Sequence, residues 1–152
     1  MGRTARLQRG DVACWVLKTR TDPVELLGGA RAGTLERCLH RTYRADLVRA
    51  GDACLLWASG ASAGVRAVGE VVAAADAGLR VRVAVRVLEE PVPRALLLAD
   101  PALARAEVVR VPVGGNPSYL DHRQLAALAA HLGDGADGRT AWSGRRESNP
   151  RS

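Results

Sequence analysis

The chain has 152 residues, a net charge of +6 and no phenylalanine. Its length is typical of one domain and is sufficient for a hydrophobic core without a metal or a disulfide framework. No segment has the composition of a signal peptide or the apolar length of a membrane span. The three cysteines lack Cys-x-x-Cys spacing and share no ligand spacing with the histidines, which argues against a zinc site. We therefore expect a cytoplasmic protein with reduced thiols, no metal and no cofactor.

The positive charge is concentrated near the start of the chain. Arg3, Arg6 and Arg9 lie in the first ten residues, whereas the segment from residue 133 onward is nearly balanced. The central part is therefore only mildly basic, so charge alone gives limited support for a nucleic-acid partner. We expect a basic arm over residues 1–11, one domain over 12–132 and a disordered tail over 133–152.

The first two predicted strands each contain a tryptophan. Strand 12–19 has Trp15 and Thr19 on one face and Lys18 on the other, and strand 52–59 has Trp57 and Ser59 on one face. The small residues after Ser59 predict a hairpin with strand 65–74. Between the tryptophan strands, the pattern predicts a short helix over 34–39, capped at its first residue, and one or two helical turns over 43–48.

Leu79 to Leu88 has the clearest alternation in the chain. Its valines share one face and three arginines share the other: Arg80, Arg82 and Arg86. This pattern indicates a half-buried strand. The arginine face is either a solvated sheet surface or a phosphate-binding surface.

The remaining predicted elements are short. Pro91 and Pro93 are expected to end the long strand; a helical turn at 95–98 and a last strand at 107–111 follow. Asp121 and Gln124 then form the capping box of a terminal helix. These elements predict an α+β fold, a mixed pseudo-β-barrel of about five to six strands with short inserted helices and a C-terminal helix.

The two tryptophans allow two interpretations. Flat indoles beside small polar residues are suited to stacking on a nucleobase. Alternatively, Trp15 and Trp57 are ordinary core residues of a chain that has few other aromatics.

Several segments between Val12 and Leu132 together resemble a known family. They are WVLKT at 15–19, YRADL at 43–47, GDACLLWASG at 51–60, GVRAVGEV at 64–71, EVVR at 107–110 and NPS at 116–118. In order and spacing they resemble the EVE domain, a member of the PUA-like superfamily related to the YTH domain. The resemblance implies a PUA-like barrel that reads a flipped-out base, chiefly a modified cytosine such as 5-methylcytosine in DNA, with RNA binding in neighbouring families.

The resemblance also implies an aromatic cage. It assigns the base-binding pocket to seven residues: Trp15, Lys18, Thr19, Tyr43, Trp57, Ser59 and Asn116. We expect Ser59 or the Asn116 amide to bond a polar base modification, and Arg44 to join the strand arginines in contacting phosphate. Many relatives carry a tryptophan where this chain has Arg37, so either the cage is more open here or Arg37 stacks in its place.

Two other function classes remain open. An enzyme could use Cys54 with His40 and Asp46, although a cysteine among leucines is typical of a buried thiol. A binding module for a small molecule or a protein partner could use the same pocket without nucleic acid. Because the chain has no nuclease or helicase segment, a base reader of this size would need a separate effector protein.

The end of the chain departs from the family. Residues 143–151 resemble the peptide obtained when the end of a tRNA gene is translated. We therefore expect that the segment from Gly133 is a non-native extension and that Trp142 has no function.

Overall fold

The computed structural model describes residues 6–74, 79–111 and 115–132. Its strands are β1 (Cys14–Thr19), β2 (Ala32–Cys38), β3 (Ala53–Ala58), β4 (Gly64–Ala73), β5 (Arg80–Pro93) and β6 (Ser118–Leu120). Its α-helices are α1 (Pro23–Leu26), α2 (Arg94–Leu98), α3 (Glu107–Arg110) and α4 (His122–His131). Three 3-10 helices cover Arg9–Asp11, Tyr43–Leu47 and Leu103–Arg105. The proposed tail from Gly133, and with it Trp142, lies outside the described residues.

The strands form one six-stranded sheet in the order β2-β5-β4-β3-β1-β6. The neighbours β1 and β3 are parallel, whereas the other pairs are antiparallel. The sheet is therefore mixed, and with its short helices it confirms the predicted α+β class.

The sheet is rolled so that its two edges approach each other. His40, just after edge strand β2, donates its backbone N–H to the Asn116 carbonyl, 2.9 Å away and just before edge strand β6. In the same region the Arg37 Nη2 lies 3.4 Å from the Lys18 carbonyl of β1. These contacts join opposite margins of an open sheet, which is the arrangement of a pseudo-barrel.

Both faces of the sheet are covered, so β1 and β3 are buried on both sides. On the helix side, Cys14, Val16 and Trp57 pack with residues of α2, α3 and α4. On the barrel side, Trp15 and Cys54 pack with residues of β5 and of the segment after β2. Continuous apolar runs such as the one in β3 are what a doubly covered strand requires.

Two predicted elements have the wrong type, and one strand was not predicted. Residues 34–39 were expected to be helical, but they belong mainly to β2, which pairs with β5 from Ala32 opposite Arg86 to Cys38 opposite Arg80. Residues 107–111 were expected to be a strand, but α3 occupies 107–110 and buries both of its valines. The strand β6 has only three residues, too few for a visible alternation. β5 runs through Pro91 and ends at Pro93, the second of the two prolines expected to end it.

Other local predictions are confirmed. β3 and β4 form the expected antiparallel hairpin, and residues 43–47 form a helical turn. The Asp121 carboxylate accepts the Gln124 N–H at 2.8 Å, and the Gln124 side chain accepts the Asp121 N–H at 2.9 Å. No helix in the described part of the chain is both long and apolar enough to cross a bilayer.

Candidate functional site

Trp15 and Trp57 do not line a pocket. Each has 0% of its surface exposed. In the parallel pairing of β1 with β3, Trp15 lies opposite Cys54 and Trp57 lies opposite Lys18. Since paired residues point to the same face and neighbours alternate, the two indoles occupy opposite faces of the sheet. The predicted cage built on both tryptophans is therefore wrong, and the alternative core interpretation is correct.

The two indoles differ in their polar contacts. The Trp15 Nε1 donates to the Asp52 carboxylate at 2.9 Å. The Trp57 Nε1 is buried and has no hydrogen-bond partner among the described residues. Trp57 lines an internal cavity of only about 10 Å³ with apolar walls, which is too small for a base.

Thr19 and Ser59 do not line a pocket together with the tryptophans. Thr19 is 4% exposed, and its hydroxyl bonds the backbone of Thr21 at 3.1–3.2 Å. Ser59 is exposed at the end of β3, where its N–H donates to the Thr19 carbonyl at 3.0 Å. Thr19 therefore stabilises a turn, and Ser59 belongs to a neighbouring surface.

Four of the predicted site residues do come together: Lys18, Tyr43, Arg44 and Asn116. They line an open cleft of about 360 Å³ at the seam where the sheet edges approach. The other lining residues are His40, Thr42, Glu107, Val111, Gly115 and Pro117. We call this site the seam cleft.

Asn116 has a positioning role in the seam cleft. Its Oδ1 accepts the Lys18 N–H at 2.7 Å, and its Nδ2 donates to the Lys18 carbonyl at 3.2 Å. The side-chain amide thus takes the place of a strand partner where the pairing of β1 with β6 ends at Val16 and Ser118. One donor and one acceptor of this amide therefore hold β1, and its bond to a polar base modification stays a prediction.

Arg44 is committed to a carboxylate. Its Nη1 and Nη2 donate to the two Glu107 oxygens at 2.8 and 2.9 Å, and Nη1 also reaches the Pro117 carbonyl at 3.2 Å. The Ser118 hydroxyl donates to the same carboxylate at 2.7 Å. A bidentate pair of this kind is strong and geometrically specific. Arg44 is therefore committed to Glu107, and its contact with phosphate stays a prediction.

The Arg44–Glu107 pair shifts the titration of both partners and influences Lys18. The Arg44 hydrogen bonds, helped by Ser118 and opposed by burial, hold the pKa of Glu107 below its ordinary value. The carboxylate in turn raises the pKa of Arg44. Burial lowers the pKa of Lys18, and the attraction of Glu107 works against that effect.

One side of Tyr43 is covered by the N-terminal segment. The Arg6 guanidinium lies 4.1 Å from the centre of the Tyr43 ring, and the Tyr43 hydroxyl accepts the Leu7 N–H at 2.8 Å. Arg9 forms an ion pair with Asp52 at 2.8 Å. Residues 6–9 of the predicted basic arm therefore pack on the domain, and they fix the wall of the seam cleft that Tyr43 provides.

Arg37 lies beside the seam cleft with its hydrogen bonds incomplete. Its Nη2 is 3.4 Å from the Lys18 carbonyl, and its buried Nε has no partner among the described residues. It is half-buried on the edge strand, two residues from buried Leu39. A guanidinium therefore stands near the seam where the family resemblance leads one to expect an indole.

The strand arginines form a separate surface. Arg80 and Arg82 lie 3.6 and 3.1 Å from the Glu36 carboxylate on β2, and their side chains are 62% and 57% exposed. Arg86 is on the same strand. None of these three residues lines the seam cleft. Arg80 lies opposite Cys38, two residues before His40 of the cleft, and the contact of these arginines with phosphate stays a prediction.

The alternative catalytic set of Cys54, His40 and Asp46 is not accessible as a unit. Cys54 has 0% exposure, and burial raises the pKa of its thiol well above the ordinary range. His40 is exposed in the seam cleft, whereas Asp46 is exposed elsewhere on the 3-10 turn. A buried neutral thiol is a poor nucleophile. The described residues contain no cluster of three or more metal-ligating side chains.

Sequence reasoning missed several residues of the cleft. Glu107 could have been predicted as one of them, because a half-buried acid next to valines requires a cationic partner. Gly115 lies so close to His40 that a Cβ there would overlap the His40 ring. His40 and Thr42 had no local pattern that could place them beside Asn116.

No protein-family model and no curated protein matches the chain. Its fold is similar to that of a hypothetical protein from Leishmania major, at 16% identity and a TM-score of 0.58, covering 82% of this chain and 97% of that one. A Rhodopseudomonas palustris protein solved by NMR gives 22% identity, a TM-score of 0.56 and coverage of 80% and 93%. The crystal structure of a Pseudomonas putida protein has 17% sequence identity and a TM-score of 0.59, and the match covers 79% of this chain and 99% of that one. At this level of identity the similarity shows a shared fold alone.

Proposed function

We propose that this protein is an EVE-like, non-catalytic nucleic-acid-binding module that accepts one base, preferentially a modified cytosine of DNA, in the seam cleft. The observation that carries the proposal is the convergence of Lys18, Tyr43, Arg44 and Asn116 on one cleft of about 360 Å³. These residues belong to three separate segments of the family resemblance. We also propose that the protein works in the cytoplasm, where its three free cysteines would stay reduced.

The lining of the cleft is suited to a planar polar ligand. Its volume lies within the roughly 300–1,000 Å³ of small-molecule sites. Tyr43 and His40 supply rings, Thr42 supplies a hydroxyl and Lys18 supplies an ammonium group. Burial lowers the pKa of that ammonium, so it is a partly desolvated donor suited to a base carbonyl or ring nitrogen.

The positioning of Lys18 is the structural basis of the proposed site. Asn116 holds the Lys18 backbone through two hydrogen bonds, and the Arg44–Glu107 pair fixes another part of the lining. A preorganised wall reduces the entropy that a ligand must remove on binding. We assign Asn116, Arg44 and Glu107 as positioning residues, and Lys18, His40, Thr42 and Tyr43 as the groups that contact the base.

The energetics predict a modest reader. Stacking contributes roughly 1–3 kcal/mol per base, and extrusion from a duplex costs a few kcal/mol. A buried methyl adds about 0.8 kcal/mol, which is roughly a four-fold preference. Single-stranded ligands should therefore bind more tightly than duplexes, and phosphate contacts must supply much of the affinity.

Blocking the seam cleft tests the proposal. Val111 lines the cleft and is 45% exposed, whereas Val72 is 39% exposed on β4 and does not line it. Val111→Trp should abolish base-dependent binding, and the matched Val72→Trp variant should not. The measurement is fluorescence anisotropy of single-stranded DNA and RNA oligonucleotides with cytosine, 5-methylcytosine or 5-hydroxymethylcytosine at one position.

Each result of this titration has a defined meaning. Loss of binding with Val111→Trp alone supports a base site in the seam cleft, and the preferred oligonucleotide identifies the nucleic acid and the base. Parent-like binding by Val111→Trp would contradict the assignment. If the parent binds none of these oligonucleotides at low salt, the nucleic-acid proposal fails and a small-molecule or protein ligand becomes the better hypothesis.

A further inference from the structure

Among the described residues, the side-chain hydrogen bonds of Arg66 and Arg94 go to backbone carbonyls and not to a carboxylate. Arg66 donates through Nη2 to the Ser62 carbonyl at 2.9 Å, and its buried Nε has no partner among the described residues. Arg94 donates through Nε and Nη2 to the Val109 carbonyl at 3.3 and 2.8 Å. In contrast, Arg9 and Arg44 each bond both oxygens of a carboxylate.

Arg66 and Arg94 line the same open groove, of about 530 Å³. The rest of its lining is the loop Gly60–Ala63 together with Pro91, Pro93 and Ala95. None of these described lining residues is acidic. Glu89 and Glu90 line a neighbouring groove that shares Pro91 with this one. The charge of the lining itself is positive, with guanidinium groups held by backbone carbonyls.

The groove and the seam cleft lie at the same end of the sheet. β1 and β3 are parallel neighbours, so their C-terminal ends lie side by side. Lys18 of the cleft is near the end of β1, and Ser59, just before the groove, follows the end of β3. Helix α3 connects the two sites as well, because Glu107 lines the cleft while the Val109 carbonyl anchors Arg94. Four residues of helix extend only about 6 Å.

We propose that the groove between Arg66 and Arg94 binds phosphate groups of the nucleic-acid strand whose base occupies the seam cleft, an inference that rests on the proposed function. Guanidinium groups match phosphate oxygens in geometry and charge. The groove thereby supplies phosphate contacts that Arg44, which is bonded to Glu107, does not make.

The test uses a fluorescent single-stranded oligonucleotide of abasic sugar-phosphate units, which offers phosphates without bases. The Arg66→Ala/Arg94→Ala double variant should bind it about ten-fold more weakly than the parent at low salt. The slope of log affinity against log salt should fall by about 1.4, or about 0.7 per lost contact. The matched control is Arg80→Ala/Arg82→Ala, which removes the same charge and should leave the slope close to that of the parent.

A second variant guards against a loss caused by misfolding. Arg66→Lys/Arg94→Lys keeps the charge and should retain most of the salt dependence. Equal losses in the groove variant and the Arg80/Arg82 control would overturn the proposal, because the effect would then be one of overall charge. Failure of the parent to bind the abasic strand at low salt would also overturn it.

The same probe separates the two proposals. If the abasic strand binds through Arg66 and Arg94 but one added base gives no gain, the groove assignment holds and the base-reading function fails. If an added base increases affinity while the Arg66→Ala/Arg94→Ala variant behaves like the parent, the base site holds and the groove assignment fails.

Discussion

At the scale of single residues, Trp15 and Trp57 differ in how the fold satisfies their N–H groups. The Trp15 Nε1 bonds Asp52, whereas the buried Trp57 Nε1 has no partner among the described residues. The same substitution should therefore have different costs at these two fully buried sites. A substitution at either site is expected to destabilise the fold, since truncation of a core aromatic residue costs several kcal/mol.

Replacement of each tryptophan by phenylalanine tests this difference. Both variants lose the same volume, but Trp15→Phe also loses a hydrogen bond to a carboxylate. We expect Trp15→Phe to reduce the free energy of unfolding by about 1 kcal/mol more than Trp57→Phe does. Equilibrium urea unfolding measures both values. Equal losses, or a larger loss at Trp57, would show that the Asp52 contact does not stabilise the fold.

The half-buried Glu107 predicts a specific pH dependence. Hydrogen bonds from Arg44, opposed by burial, lower the pKa of Glu107 in the folded state. Its stabilising contribution is therefore complete above the unfolded-state pKa, about 4.3, and is lost as the pH falls through the lower folded-state value. The parent should lose this contribution on acidification.

Urea unfolding of Glu107→Gln between pH 7 and pH 3 measures this contribution. The variant should be less stable than the parent at pH 7, and the difference should narrow toward pH 3. Glu25→Gln, at an exposed position of α1, is the control and should track the parent. A difference that stays constant with pH would mean that the carboxylate charge is not the stabilising feature.

At the scale of elements, contacts with distant parts of the chain determine the secondary structure of two segments whose local pattern predicts the wrong type. β2 has little apolar alternation, but its backbone pairs with β5 along seven residue pairs, so it is a strand despite a helix-compatible pattern. α3 contains consecutive valines that favour a strand, yet a helix buries both of them on the helix-side core. Neither outcome follows from local sequence, because the deciding partners are distant.

The close contact of β4 with β5 at Gly69 gives a prediction at this scale. A Cβ at Gly69 would overlap the backbone of Ala84 and Val85, whereas a Cβ at Gly10 would meet nothing within 4 Å. Gly69→Ala should therefore destabilise the protein by about 1–3 kcal/mol, as is usual for overpacking, and Gly10→Ala should have a much smaller effect. Thermal unfolding monitored by circular dichroism distinguishes them. Similar melting temperatures for the two variants would contradict the close strand contact.

At the scale of the whole molecule, rolling of the sheet creates the candidate site. It brings Asn116 to Lys18, 98 positions apart in the chain, and places His40 beside Asn116. The α+β class and most strands could be predicted, because alternation and turn residues are local properties. The burial of Trp15 and Trp57 could not be predicted, because it depends on the helices that cover one face of the sheet and on β2 and β5, which cover the other.

The most direct test of the central claim compares two otherwise identical oligonucleotides. One is an abasic single strand, and the other carries one 5-methylcytosine at its centre. If the seam cleft accepts a base, the parent protein should bind the second roughly 5- to 150-fold more tightly, as expected from about 1–3 kcal/mol of stacking, and Val111→Trp should remove the difference. Equal affinity of the parent for the two strands would contradict the proposal that this protein reads a base.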